Sequence, residues 1–166
     1  MDISNILSNA VQLERGVSAL YADIMTDTDN AQVIRILKIL SSESEAHARQ
    51  LESRYGIFGK SEAVGEGVSG LLSVLSGRIS KLKEKANPIE VLRGGIEIEK
   101  HMEQLYEQLA ASFESEGQTG EPSDEVYKKG TLRASEVFRG IAGDERKHQK
   151  ALQRLVSRIA EEGWGS

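Results

Sequence analysis

Two segments of the chain set a histidine beside acidic residues at helical spacing. Glu43-Ser44-Glu45-Ala46-His47 precedes Leu51, and Asp144-Glu145-Arg146-Lys147-His148 precedes Leu152, an offset of 101 residues from His47 to His148. A second pair repeats with an offset of 85: Leu13-Glu14-Arg15 with Tyr21, and Ile98-Glu99-Lys100 with Tyr106. Residues three apart on an α-helix differ by about 60° in azimuth, so Glu145 and His148 share a face. That face also carries Phe138, Ile141 and Leu152, while Glu14 falls between Val11 and Val17 and Glu99 between Ile96 and Met102. Three carboxylates and two imidazoles are thus expected on apolar stripes.

Burial of these groups narrows the chemistry. An ionised carboxylate inside a core costs several kcal/mol unless paired, and three close together raise one another's pKa. A divalent cation held by carboxylate and imidazole compensates them directly. A Glu from each of two helices with Glu-x-x-His from each of the other two is the di-iron carboxylate pattern. The sequence has no cysteine, so a thiolate metal site, a disulfide framework and cysteine catalysis are excluded, and any metal must take nitrogen and oxygen ligands. A metal-free core is the competing reading, with the three carboxylates facing two imidazolium groups.

The elements that must position these groups read as all-α. The 166 residues suit a single domain, 1–166, and the only two prolines, Pro88 and Pro122, leave long intervals of helix-compatible residues. Apolar positions at three- and four-residue steps predict helices over about 3–26, 30–55, 88–114 and 123–162. Asn30 and Ser123 are candidate N-caps, and Pro88 suits a first helical turn. Residues 56–87, interrupted by Gly59, Gly65, Gly67 and Gly70, read as a long crossover with a helix of its own from Leu71 to about Lys85. The two offsets differ by 16, which places the added length in the connection between helices three and four. The chain reads as two αα-hairpins of one design.

The formal net charge of −5 with interspersed signs gives no footprint for nucleic acid or an anionic membrane surface. No apolar segment reaches the roughly 20 residues of a membrane span, and Met1 to Asn5 lack a basic run before an apolar stretch. A cytoplasmic protein is the expectation. His101 groups with Glu97 and Gln104 on a polar face, and Lys81 to Lys85 reads as the wet face of the crossover helix.

Across all four long helices, LERGVSALY, SSESEAHARQL, IEIEKHMEQLY and GDERKHQKAL resemble the rubrerythrin-like branch of the ferritin-like superfamily. The resemblance implies a ferritin-like four-helix bundle with Glu14 and Glu99 as terminal carboxylates, Glu145 as a bridging carboxylate, and His47 and His148 as imidazole ligands. It further implies a non-haem iron protein of peroxidase or ferroxidase type, acting on dioxygen, peroxide or ferrous iron. Two iron ions are expected, or one if the site is incomplete, with other divalent metals as substitutes, a separate electron donor, and a homodimer as the assembly to test. The chain departs from the family at Ser44, where a second bridging glutamate is expected, and at Met102, where rubrerythrins carry an extra glutamate. It also lacks the cysteines of a rubredoxin-like module. Glu43, within one turn of His47, is a substitute ligand for the missing bridge. Two other readings stay open: a degenerate bundle with one metal or none, serving as a binding or assembly module, and a helical interaction protein unrelated to metals. Tyr21 and Tyr106 are core aromatics or supports for the carboxylates.

Overall fold

The computed structural model describes residues 3–53, 66–84, 87–119 and 125–162. These form five helices: α1 (Ile3–Thr26), α2 (Ala31–Glu52), α3 (Glu66–Lys83), α4 (Pro88–Thr119) and α5 (Glu125–Glu162). No strand occurs among the described residues, so the class is all-α. None of these helices is long and apolar enough to cross a membrane.

Local chemistry accounts for the helix starts. The Asn30 side chain accepts hydrogen bonds from the Gln32 and Val33 amides, which caps α2. Asn87 does the same for the Ile89 amide, and Pro88 follows at the first helical position, where its missing N–H costs nothing. The expected Ser123 cap lies outside the described residues. So does the expected stretch from Arg54 to Tyr55, and α2 is described only to Glu52.

Two boundaries differ from expectation. The crossover helix starts at Glu66 rather than Leu71, because Val68 joins Leu72, Leu75 and Ile79 on its buried face. The helix expected to stop near residue 114 continues to Thr119. Gly117 lowers helix propensity but keeps its N–H, whereas Pro122 would remove one, so glycine does not stop α4. Gly140 and Gly143 likewise leave α5 unbroken.

Helix α1 packs on α2 and α4 on α5, with α2 against α5 and α1 against α4 joining the two pairs. Within each pair the contacts run antiparallel. Arg15 reaches Glu52 and Ser18 reaches Ser41 between α1 and α2. Between α4 and α5, Glu114 takes a two-pronged hydrogen bond from Arg139, and Glu103 takes one from Arg146. Helix α3 lies against both α1 and α4. One apolar cluster draws on all five helices, including Ile6, Leu37, Leu75, Leu105 and Phe138.

Two adjacent glycines on α4 set the spacing of this packing. A Cβ on Gly94 would lie 2.4 Å from Leu82 of α3, and a Cβ on Gly95 would lie 3.3 Å from the Tyr21 hydroxyl of α1. One glycine admits α3 and the other admits the tyrosine.

The docking of α3 can be measured. Leu75 is fully buried, and truncating such a leucine removes its transfer free energy and leaves a cavity. Leu75→Ala is expected to cost about 2–4 kcal/mol in a denaturant melt. A loss of only a few tenths would show that α3 contributes little to the core.

Candidate metal centre

Each of the four long helices brings ionisable groups to one buried volume. Glu14 comes from α1, His47 from α2, Glu99 from α4, and Glu145 with His148 from α5. They point inward because they occupy the stripes of Val11 and Val17, Leu40 and Leu51, Ile98 and Met102, and Ile141 and Leu152, all of which are buried. Glu14, Glu99, Glu145 and His148 are at most 1% exposed, Ser44 is fully buried, and His47 is 6% exposed. The five ligands expected from the sequence and Ser44 are therefore in the core, whereas Glu43, expected as a substitute ligand, is exposed. His101 lies apart from it, with Nδ1 2.5 Å from the Glu97 carbonyl oxygen of its own helix.

The side chains form two triads, Glu14–His47–Glu145 and Glu99–Glu145–His148, each with one potential ligand atom per residue lying within 4.8 Å of the others. Glu145 belongs to both. His47 Nδ1 is 3.2 Å from Glu145 Oε1 and 3.6 Å from Glu14 Oε1. His148 Nδ1 is 3.1 Å from Glu145 Oε2 and 3.5 Å from Glu99 Oε2. The two rings are stacked at 5.9 Å.

A supporting ring repeats the same symmetry and crosses between the hairpins. His47 Nε2 faces Asp144 Oδ2 at 3.5 Å, and His148 Nε2 faces Glu43 Oε2 at 2.7 Å. Tyr106 of α4 donates to Glu14 Oε1 of α1 at 2.6 Å, and Tyr21 of α1 donates to Glu99 Oε1 of α4. Glu43, expected as a substitute ligand, belongs to this outer ring: it meets the nitrogen of His148 that faces away from Glu145. Asp144 plays the matching part for His47, a role not assigned from the sequence. The shared offset of 101 between Glu43 and Asp144 was the available signal.

Without a cation the cluster compensates itself by proton placement. Burial pulls each imidazole toward its neutral form, but the facing carboxylates outweigh it. Glu14 and Glu145 hold His47 up at about 10, and Glu145 and Glu99 hold His148 up at about 11. Burial raises Glu14 against the opposing pull of His47 and Tyr106. Burial also works against ionised Glu99, yet the adjoining Glu145 and His148, with the Tyr21 hydroxyl, hold its carboxyl below the usual range. Glu145 is pushed well above that range by burial and then by the charges of Glu99 and Glu14. Two imidazolium groups thus face two carboxylates, with the third carboxyl favoured in its neutral form. Tyr21 and Tyr106, raised by burial and the same carboxylates, remain hydrogen-bond donors.

The arrangement also fits a cation. Ser44 Oγ, His47 Nδ1, Glu99 Oε2 and Glu145 Oε1 are buried without a hydrogen-bond partner among the described residues. Such groups are uncommon inside proteins and call for a specific compensation. His47 Nδ1 approaches two carboxylates yet makes a directed bond to neither. Two ligands each about 2.1 Å from a metal and near right angles to one another sit about 3 Å apart, close to the nitrogen–oxygen separations observed. The outward imidazole nitrogen, held by a carboxylate, leaves the inward one to coordinate, as metal-bound histidines commonly do.

No family model, curated protein or solved structure matches the chain.

Two measurements follow from this geometry. Folded-state imidazole values of about 10 and 11 lie above the unfolded value of 6.5, so their stabilisation of the metal-free protein is complete below that unfolded value and lost as pH rises through the folded ones. Chemical melts should show falling stability between about pH 7 and 11. Metal uptake at neutral pH should release roughly two to three protons per chain into a weak indicator buffer, since both imidazoles must give up Nδ1 protons and Glu145 must give up the carboxyl proton that its surroundings favour. Release of none would mean that the imidazoles are not ligands. For the crossed supports, Tyr106→Phe should cost about 1–3 kcal/mol because it leaves the buried Glu14 carboxylate without its donor. A thermal melt indistinguishable from wild type would show that this bond is not maintained in solution.

Proposed function

We propose that the chain is a rubrerythrin-like member of the ferritin-like superfamily, a four-helix bundle with a packed crossover helix that holds two iron ions and acts on dioxygen, peroxide or ferrous iron. The observation that carries this reading is the pair of buried triads sharing Glu145, with ligand atoms that lack hydrogen-bond partners. Glu14 and His47 would hold one ion, Glu99 and His148 the other, and Glu145 would lie between them. Iron would supply one-electron redox chemistry when bound.

The chain's own residues prepare that chemistry. Tyr106 and Tyr21 fix the orientation of the terminal carboxylates from the opposite hairpin. Asp144 and Glu43 hold the outer nitrogens of the two imidazoles and so select the inner nitrogens as ligands. Met102 and Leu152, within about one turn of Glu99 and His148, and Phe138, stacked on Tyr106, are buried apolar side chains that would help keep bulk water out. With no cysteine in the sequence, electrons would come from a separate donor. A carboxylate and imidazole set also admits manganese or zinc, so metal identity is part of the proposal.

A second reading has its own support. The imidazolium groups offset the carboxylates without any cation, and this suits a degenerate bundle that serves as a binding or assembly module.

Metal content and stability separate the two. Anaerobic titration should give two ferrous ions per wild-type chain, with His148→Ala and Glu145→Gln retaining at most one. At a metal concentration a hundred times the Kd, the folded state gains about 2.7 kcal/mol, so chelation should lower the Tm by about 5–10 °C. Admission of dioxygen or peroxide should then oxidise the bound iron, followed optically. An unchanged Tm with no metal taken up would establish the metal-free module, and metal that stays ferrous under both oxidants would remove the redox role.

A further inference from the structure

The two halves of the centre match at every ionisable position except one. Glu14 corresponds to Glu99, His47 to His148, Glu43 to Asp144 and Tyr21 to Tyr106, but the counterpart of Glu145 is Ser44. Ser44 stands one turn before His47, as Glu145 stands one turn before His148, and it is fully buried. Its hydroxyl has no hydrogen-bond partner among the described residues. A buried hydroxyl without a partner costs roughly 1–3 kcal/mol, so its presence calls for something that bonds to it.

Charge points to the same place. Two divalent cations against Glu14, Glu99 and Glu145 leave one positive charge in an apolar core. Glu43 and Asp144 face the outer nitrogens of the imidazoles and are not among the ligand triads. What the serine lacks relative to its symmetry mate is a carboxyl group. We propose that Ser44 marks a binding site for an exogenous small carboxylate, which bridges the two metals opposite Glu145 and accepts a hydrogen bond from the Ser44 hydroxyl.

This inference rests on the metal reading above and deepens it. An ion of one negative charge with two oxygens on one carbon completes the neutral charge count and restores the two-fold arrangement. The second metal and the carboxylate then bind cooperatively, because each supplies what the other needs. Such coupling is reciprocal and is expected at roughly 5- to 150-fold.

The test uses the full chain, cobalt(II) and formate, with visible absorption reporting the metal environment and elemental analysis the stoichiometry. In wild type, formate should tighten binding of the second cobalt by at least about fivefold and change the spectrum in a saturable way. Ser44→Glu should bind two cobalt ions without formate and ignore its addition. Ser44→Met, which fills the position without a charge and does not depend on metal to offset a buried carboxylate, should keep one cobalt and show no formate effect. Acetate and butyrate run in parallel separate two sources of the ligand: an effect from formate alone indicates a free one-carbon acid, and effects from all three indicate the carboxyl end of a larger molecule. Two cobalt ions bound with equal affinity with and without any of these acids would overturn the bridging carboxylate and leave the metal reading intact. No cobalt uptake under any condition would overturn both.

Discussion

The structure depends on the mutual compensation of five ionisable side chains in a core that offers them almost no water. Glu14, Glu99, Glu145, His47 and His148 each come from a helix whose neighbouring stripe positions are aliphatic or aromatic, so none can escape to solvent without breaking that packing. An uncompensated charge there would cost more than any single apolar contact contributes. The four long helices must therefore be held at a fixed register, and the register is set by polar contacts as much as by shape. Either protons on the imidazoles or a cation among the carboxylates satisfies the constraint, and the same geometry serves both.

That register is enforced from outside the central cluster. Each tyrosine donates to the carboxylate of the opposite hairpin, and each outer carboxylate meets the imidazole of the opposite hairpin. A slip of one pair of helices along the other would break all four contacts together. The glycines at 94 and 95 belong to this scheme, since they allow close approach where a methyl group would push away Leu82 on one side and Tyr21 on the other.

Much of this was legible in the sequence, for reasons that can be stated. The apolar periodicity marked the four long helices, and the two repeats placed Glu14, Glu99, His47, Glu145 and His148 on buried stripes, because a helix's own periodicity determines which of its faces is apolar. Cross-helix partners were not legible. Tyr21 lies on the helix of Glu14 yet serves Glu99, and Glu43 read as a substitute ligand because only its distance from His47 was visible. Which helix lies opposite is a tertiary fact, and the single observation that could have anticipated it was the common offset shared by each glutamate and tyrosine. Gly94 and Gly95 were passed over within a helical stripe for the same reason. Their value appears only once Leu82 and Tyr21 are in place. The early start of α3 was obscured by Gly67 and Gly70, whose low helix propensity is overridden by the burial of Val68.

The position of α3 has a consequence for how the molecule comes apart. It lies against α1 of one hairpin and α4 of the other, with Ile79 over Gly16 and Leu82 over Gly94. It acts as a clasp. Loss of either hairpin exposes one flank of α3, and loss of α3 exposes both hairpins at once, so neither half has a low-energy way to open alone. Partial openings that are separate cooperative units in many helical proteins are here tied to a single transition. Amide protons at the centre of α1 and α4 should consequently exchange with solvent at the rate of global unfolding, while the distal turns of α5 exchange by local fraying.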